Sequence, residues 1–174
     1  MLKRMDADQL RKLQAPLKSR YKEEPGAALR TLRAAGRVSQ ETLTCALLTG
    51  KAGTPAGLHD AAGGDGTAAC SGDMLLEAIV GCAGVTLASV ATAMGMNVSG
   101  AIVSAEGDLD FRGTLGVARD VPVGFSQIRL VFEIGADAPT EQLEKLVQLT
   151  ERYCVVLQTL TRPPSIAVRT KGSS

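Results

Sequence analysis

Two cysteines are the residues best placed to do chemistry. Cys82 lies between Gly81 and Gly84, and Cys154 follows much later in the chain. An interior glycine weakens a helix by roughly 1 kcal/mol relative to alanine, so two glycines beside Cys82 suggest that something approaches the backbone there. Free cysteine is also among the most buried residue types, and both residues could be ordinary core cysteines. Spacing alone does not show that the two meet.

A long apolar helix is predicted over residues 73–94, and it carries Cys82. Apolar residues occupy both of its sides, and Glu77 is the only charge between Asp73 and residue 94. A helix that is apolar all round is typically a buried helix. Ser71 is the predicted N-cap, and Gly95 the predicted stop.

A second, amphipathic helix is predicted to carry Cys154. It opens at Pro139 and Thr140, and Arg162-Pro163-Pro164 ends it. The remaining pattern gives a helical stretch at 5–35, a Gly-rich loop at 53–72, and strands at 42–49, 98–111, 115–118, 125–134 and 165–169. Runs of strands apart from helices favour an α+β fold.

The totals exclude several classes of protein. The 174 residues are 45% hydrophobic and 21% charged, as in a soluble globular domain. A net charge of +1 with three Phe, two Tyr and no Trp argues against a nucleic-acid binder. We find no stretch of 18 uncharged apolar residues and no secretory signal, which predicts a cytoplasmic protein without a membrane span. Four cysteines in such a chain are not expected to form a structural disulfide framework.

Several segments, taken in order, resemble one known family. The segment Ser71-Gly-Asp-Met-Leu-Leu-Glu-Ala-Ile-Val-Gly-Cys82 is similar to the central-helix motif of the OsmC/Ohr family. Similar pieces follow at Met96–Gly113, at Phe125-Ser-Gln-Ile and at Tyr153-Cys154-Val-Val. The resemblance covers residues 42–170. We therefore expect an OsmC-like domain at 41–174, preceded by a helical extension at 1–40.

The resemblance implies both an architecture and a reaction. The architecture is α+β, with antiparallel sheets around a long buried central helix in an entwined homodimer. The activity is a cysteine-based peroxidase for organic hydroperoxides that uses no cofactor or metal. Cys82 would attack the peroxide, Cys154 would resolve the sulfenic acid to a disulfide, and an external dithiol (a lipoyl protein or a thioredoxin-like protein) would reduce it.

The family also implies an arginine that stabilises the thiolate, held by a carboxylate. Asp73 stands at the position of that carboxylate, which is usually Glu, but it could equally be a helix-start acid that complements the dipole. Arg37 is our choice for the arginine because it is nearest the first predicted strand. Solvated surface positions are the alternative for Arg37 and for the other candidates, Arg20, Arg30 and Arg33.

Three further residues have an uncertain role. His59 lies in the Gly-rich loop, where it could be a base or an exposed loop histidine, and Cys45 and Cys70 have no role from their context. His59 and Cys70 are too few for a zinc site. Two departures from the family, Val155 after Cys154 in place of the common Pro and the few aromatics, leave the preferred substrate open. Alternatives to the peroxidase are a non-catalytic domain that binds a small apolar ligand and a thiol redox regulator.

Overall fold

The computed structural model describes residues 6, 8–9, 12, 15, 23, 36–39, 44–47, 55–64, 67–98, 101–114 and 119–172. Most of the predicted helical stretch at 5–35 and the strand predicted at 115–118 lie outside these residues. The described positions 8, 9, 12, 15 and 23 are helical. Asp6 and Gln9 form a reciprocal capping box, in which each side chain accepts the other's backbone N–H at 2.8 and 3.1 Å.

The first sheet has four short strands in the order β1-β2-β3-β4. These are β1 (Gly36–Ser39), β2 (Thr44–Leu47), β3 (Pro55–Gly57) and β4 (Ala69–Cys70). The first three pair antiparallel, and β4 runs parallel to β3. β1 therefore joins this sheet although it precedes residue 41, and the division at 40/41 stays a prediction.

The Gly-rich segment is more ordered than its composition predicted. Besides β3 and β4 it contains a 3-10 turn at Asp60–Ala62, so the prediction of a plain loop over 53–72 was wrong. The strands there are two or three residues long and arise from backbone pairing, of β3 with β2 and of β4 with β3, which needs no apolar alternation in the sequence. A glycine-rich composition therefore did not reveal them.

The central helix, α1 (Ser71–Ala93), follows β4 without a loop. Ser71 is its first residue and not its cap, because Cys70 takes the N-cap position without a side-chain hydrogen bond. The predicted stop at Gly95 is confirmed. Gly95 has φ +69°, and the N–H groups of Gly95 and Met96 donate to the carbonyls of Thr92 (3.1 Å) and Ala91 (2.9 Å). This is the Schellman arrangement that a left-handed residue closes.

The second sheet is an antiparallel pair, β5 (Ala101–Leu109) and β6 (Phe125–Ile134), and both strands confirm the predictions. A short helical turn, α2 (Phe111–Thr114), follows β5 near the predicted turn. Phe125 covers Gly107 of β5 so closely that an added Cβ would lie 2.5 Å from the ring, which explains the glycine. The inner face of this pair packs on α1.

The predicted second helix is two helices, α3 (Thr140–Tyr153) and α4 (Val155–Thr161). Cys154 interrupts them with extended backbone, φ −71° and ψ 109°, so the prediction of one continuous helix was wrong. The prediction of a strand at 165–169 was also wrong for the single chain that the structure describes. This segment has no ladder partner among the described residues, and its side chains are exposed.

The core lies between α1, the β5–β6 pair and α3. Leu87, Ala91, Met96 and Leu146 are buried, with Val103, Phe132, Ile134 and Leu143 packed against them. Ile79, Ala83, Leu87 and Ala91 form one buried stripe along α1, but the opposite face is exposed, and Val85 is 70% exposed. In the isolated chain α1 is therefore buried on one face and not all round.

α1 is long and apolar enough to span a membrane by length and composition, a test that the core helix of a soluble protein also passes. The helix passes this test because both of its faces are apolar, although only one of them packs in the core. The absence of a membrane span stays a prediction.

The cap at Gly95 gives a stability prediction. Gly95→Ala forces a side chain into the left-handed region and should lower the free energy of unfolding by about 1–2 kcal/mol, measured by urea denaturation. Gly124→Ala is the matched control, because its φ is not positive and nothing lies within 4 Å of the added Cβ. An equal effect of the two substitutions would contradict the role of the cap.

Candidate active site

Cys82 lies in the middle of α1 and is partly exposed. Its carbonyl accepts a hydrogen bond from the Thr86 hydroxyl one turn later, at 2.8 Å. In the described part of the chain nothing lies within 4 Å of a Cβ added at Gly81, and only the Val103 side chain comes within 4.0 Å of one at Gly84. The close approach that these glycines suggested is therefore not made by the chain itself.

Cys154 lies at the junction of α3 and α4 and is fully buried. Its N–H donates to the carbonyl of Thr150, and its own carbonyl accepts from the N–H of Gln158, both at 2.9 Å. Cys154 is thus the C-cap of α3 and the N-cap of α4 at once. Both helices pack against α1, which brings the junction to the middle of that helix.

The structure brings the two predicted cysteines together. The two side chains interact, and the backbone N–H groups of Val155 and Val156 act on the sulfur of Cys82 and stabilise its ionised form. These amides belong to the first turn of α4, where N–H groups have no partner four residues earlier. The helix break at Cys154 leaves them free to point at the thiol.

The same contacts make the two thiols unequal. Burial raises the pKa of Cys82, but the donors around it, led by the Val156 amide, outweigh this and lower the pKa below its ordinary value. Burial raises the pKa of Cys154, and the neighbouring Cys82 sulfur raises it further. Between the two pKa values the pair carries one negative charge, with Cys82 as thiolate and Cys154 as thiol.

Thr86 is a site residue that the sequence did not single out. Its hydroxyl donates to the Cys82 carbonyl and also contributes to the lowered pKa of the Cys82 sulfur. One hydroxyl proton serves one acceptor at a time, so rotation about the C–O bond decides which is served. The signal in the sequence was a Thr four residues after Cys82, where the two share a helix face.

The predicted carboxylate lies away from the thiols, and the side chain of the predicted arginine lies outside the described residues. Asp73 is exposed in the first turn of α1. A separation of nine residues places it about 13–14 Å along the helix from Cys82. The backbone of Arg37 lies on β1 opposite Ala46, and its side chain is outside the described residues. The roles of Asp73 and Arg37 stay predictions.

The arginines of β6 and α3 are engaged elsewhere. Arg129 lies on the outer face of the β5–β6 pair, bonded to Glu106 at 3.2 Å and bidentate to Asp108. Its guanidinium lowers the pKa of the Asp108 carboxyl. Arg152 lies over the ring of the neighbouring Tyr153, 5.6 Å from its centroid. Neither is among the groups that act on Cys82.

The remaining candidates lie apart from the thiol pair. His59 packs against Phe111 with ring centroids 4.9 Å apart, and its Nδ1 accepts the N–H of Ala61. Cys70 is the N-cap of α1, about 18 Å along that helix from Cys82. The backbone of Cys45 pairs with Val38 on the first sheet. Among the described residues no group of three His, Cys, Asp or Glu is close enough to hold a metal.

An apolar groove of about 430 Å³ lies between α1, β6 and α4, and neither cysteine is among its lining residues. Ile79, one turn before Cys82, and Leu157, whose N–H donates to Cys154, both line it. Its other apolar walls are Leu75, Phe125, Ile128, Leu130 and Leu160. Ser126, Gln127 and Thr161 add polar groups. This volume and lining suit a small hydrocarbon group with one polar end.

The donors around Cys82 give a titration prediction. In the pH dependence of iodoacetamide labelling, Cys82 should react with a midpoint below that of an ordinary thiol, whereas buried Cys154 should resist labelling. Thr86→Val removes one donor to the thiolate and should move the Cys82 midpoint upward, toward the ordinary value.

The control is Thr92→Val on the same helix, since that hydroxyl donates to the carbonyl of Ala88 at 2.8 Å and does not act on Cys82. A Cys82 midpoint at or above that of the urea-unfolded chain would contradict the assigned contacts.

Comparison with known proteins places this site in a family. A family model described as OsmC-like protein matches residues 64–169. Among solved structures, an OsmC-like protein from Mycoplasma pneumoniae is similar with a TM-score of 0.63 and 13% identity, over 77% of this chain and 89% of that chain. The organic hydroperoxide resistance protein OhrB of Bacillus subtilis is similar with a TM-score of 0.54 and 18% identity, over 78% and 93%. No curated protein matches significantly in sequence.

The matched region spans more than half of the chain and contains both cysteines of the site. The structural likenesses, at 13% and 18% identity, show the same fold. The chain belongs to the OsmC family.

Proposed function

We propose that the chain is a thiol-dependent peroxidase that reduces organic hydroperoxides. The observation that carries the proposal is the contact between Cys82, whose pKa is lowered, and buried Cys154, whose pKa is raised. A thiolate is the nucleophilic form of cysteine, and a second thiol in contact can trap the oxidised product. Family membership is consistent with peroxidase-type activity, and one structural neighbour is named for organic hydroperoxide resistance.

The reaction can be written with these two residues. The Cys82 thiolate attacks the terminal peroxide oxygen, the S–O bond forms and the O–O bond breaks, and the alkoxide leaves as an alcohol after taking a proton. Cys154 then attacks the sulfur of the sulfenic acid, and the S–S bond forms as the oxygen leaves as water. An external dithiol, such as a lipoyl or thioredoxin-like protein, reduces the disulfide by exchange.

The α4 amides supply part of the stabilisation that the family assigns to an arginine. N–H groups that donate to a thiolate stabilise the charged form, as other donors to anions do. Arg37 and Asp73 remain our candidates for the arginine and its carboxylate, acting within one chain or across two. The amides of Val155 and Val156 would then lower the pKa of Cys82 even before the arginine is in place.

The groove favours alkyl hydroperoxides over hydrogen peroxide as substrates. Its walls, which include Ile79 one turn before Cys82, can bury a hydrocarbon group, and this burial contributes roughly 25 cal/mol per Å² of apolar surface removed from water. Hydrogen peroxide has no such surface and gains nothing from the groove. A non-catalytic domain that binds a small apolar ligand would use the same groove, so the thiol chemistry has to be tested directly.

The decisive prediction concerns free thiols. In stopped-flow reactions of the reduced protein with cumene hydroperoxide, wild type should lose two thiols rapidly and Cys82→Ser should lose none at that rate. Cys154→Ser should accumulate a sulfenic acid that dimedone traps, because nothing resolves it. A slow loss of thiols that does not depend on which cysteine is removed would reject the peroxidase function. The chain would then be a domain that binds a small apolar ligand, or a slow thiol redox regulator.

The groove is tested in the same assay. Leu160 is 37% exposed, so Leu160→Gln should fold, and it should slow the reaction with cumene hydroperoxide about threefold to tenfold. Its rate with hydrogen peroxide should not change. The matched control is Ile166→Gln on the exposed C-terminal segment, where the side chain is 84% exposed and both rates should stay at the wild-type value.

We further propose that the chain forms a homodimer through the exposed face of α1. This face carries Leu75, Ala78, Gly81, Val85 and Ala88, which are exposed and have no charge. A second copy would cover a helix face that is apolar but not packed in the single chain, and small side chains at 78, 81 and 88 would allow two helices to approach closely. This arrangement agrees with the entwined homodimer that the resemblance implies.

Light scattering tests the dimer. Val85→Glu puts a charge in the centre of the proposed interface, and the variant should run as a monomer or associate at least tenfold more weakly, since a buried unpaired charge is costly. Gln148→Glu on the exposed face of α3 adds the same charge elsewhere and should stay dimeric. A monomeric wild type, or dimers of Val85→Glu as stable as wild type, would reject this interface.

A further inference from the structure

The position of Cys154 in the reduced protein, before any sulfenic acid has formed, indicates a role in the first chemical step. Cys154 is fully buried at the junction of α3 and α4, both of which pack against α1, and its thiol interacts with the sulfur that attacks the peroxide. A residue that acted only as the resolving thiol would need to reach Cys82 after oxidation. Its contact with Cys82 in the reduced protein places it at the reacting atoms one step earlier.

We propose that Cys154 is the general acid of peroxide cleavage: its S–H proton passes to the alkoxide oxygen that leaves as the Cys82 sulfur attacks. The inference rests on the proposed peroxidase function and deepens it. Cys154 would therefore act twice in each turnover, first as a proton donor and then as the nucleophile that resolves the sulfenic acid.

The groups that contact the Cys82 sulfur support this assignment. Attack by a thiolate on an alkyl hydroperoxide releases an alkoxide, which is a strong base and needs a proton. The amides of Val155 and Val156 donate hydrogen bonds but do not give up their protons, and the Thr86 hydroxyl is a much weaker acid than a thiol. In the described chain, Cys154 is the contact whose proton can be transferred.

The surroundings of Cys154 keep it protonated until it is needed. Burial and the negative sulfur of Cys82 raise its pKa, and Cys82 is the titratable group of the described chain that acts on it. Glu77 on α1 and the neighbouring Glu151, Arg152 and Tyr153 on α3 are exposed, and the α4 sequence Val155–Thr161 has no charge.

The proton transfer also prepares the second step. It converts Cys154 to a thiolate while Cys82 becomes a sulfenic acid, so the resolving nucleophile forms when its target does. The Cys154 thiolate then attacks the Cys82 sulfur, the S–S bond forms, the S–O bond breaks, and hydroxide takes a proton from solvent. The sum is one hydroperoxide and two thiols giving one disulfide, one alcohol and one water.

The experiment measures the first step alone, as loss of thiolate ultraviolet absorbance in a single turnover. It compares tert-butyl hydroperoxide with peracetic acid, above the pH at which Cys82 is fully ionised in each variant. General acid catalysis typically raises a rate by about 10²–10⁴-fold. Cys154→Ala should therefore slow the reaction of Cys82 with tert-butyl hydroperoxide by about a hundredfold or more. Cys154→Ser, which keeps a donor but lacks an acidic proton, should also be slow.

Peracetic acid is the matched substrate, because its leaving group is a carboxylate of low basicity that departs without a proton. Both Cys154 variants should lose at least tenfold less rate with peracetic acid than with tert-butyl hydroperoxide, since carboxylates are stable anions at this pH. With tert-butyl hydroperoxide the wild-type rate should rise with ionisation of Cys82 and fall at alkaline pH as Cys154 loses its proton. The fall should be absent in Cys154→Ser.

Two results would overturn the proposal: an unchanged rate of Cys154→Ser with tert-butyl hydroperoxide, or equal slowing with both substrates. The first would mean that the proton comes from the attacked hydroxyl or from solvent, and the second that the substitution merely disturbs Cys82. Failure of the peroxidase itself looks different, since Cys82 of wild type would then react with neither substrate at a rate above that of a free thiol. Urea denaturation of Cys154→Ser verifies that the near-isosteric variant is folded.

Discussion

The contact between Cys82 and Cys154 depends on one break in the backbone. If α3 continued through residue 154, the amides of Val155 and Val156 would bond to carbonyls four residues earlier, as in any helix interior. Extended backbone at Cys154 frees them, and they donate to the Cys82 sulfur. The lost helical bonds, each worth about 1 kcal/mol net, are thus replaced by bonds to an anion, which are stronger than those between neutral groups.

The rest of the fold holds this junction against α1. The buried stripe of α1 recurs every four residues and packs on α3 and on the inner face of β5 and β6, which fixes the rotation of the helix and hence the direction of Cys82. The cap at Gly95 turns the chain toward β5 just beyond this stripe. Cys82 lies between the buried stripe and the exposed apolar face, so it is reached from Cys154 on one side and from outside the chain on the other.

Periodicity in the sequence predicted the elements that bury many side chains. The positions of α1, β5, β6 and α3, and the stop at Gly95, followed from apolar spacing and from local cap chemistry. The sequence could not give β3 and β4, because short strands are decided by the backbone they pair with, nor the break at Cys154, where no Pro or Gly marks the interruption. Tertiary packing of the buried thiol overrides the helical preference there, and the α4 amides and Thr86 could not be identified as site groups without it.

Two residues of the same type come to differ because their positions differ. Cys82 is partly exposed, and the neighbouring donors stabilise its charged form. Cys154 is buried beside that charge, so its neutral form is stabilised. Amides carry no net charge, and they stabilise a thiolate in addition to whatever the proposed arginine contributes. Burial and the groups around each sulfur thus make the two thiols differ in acidity, although their side chains are chemically identical.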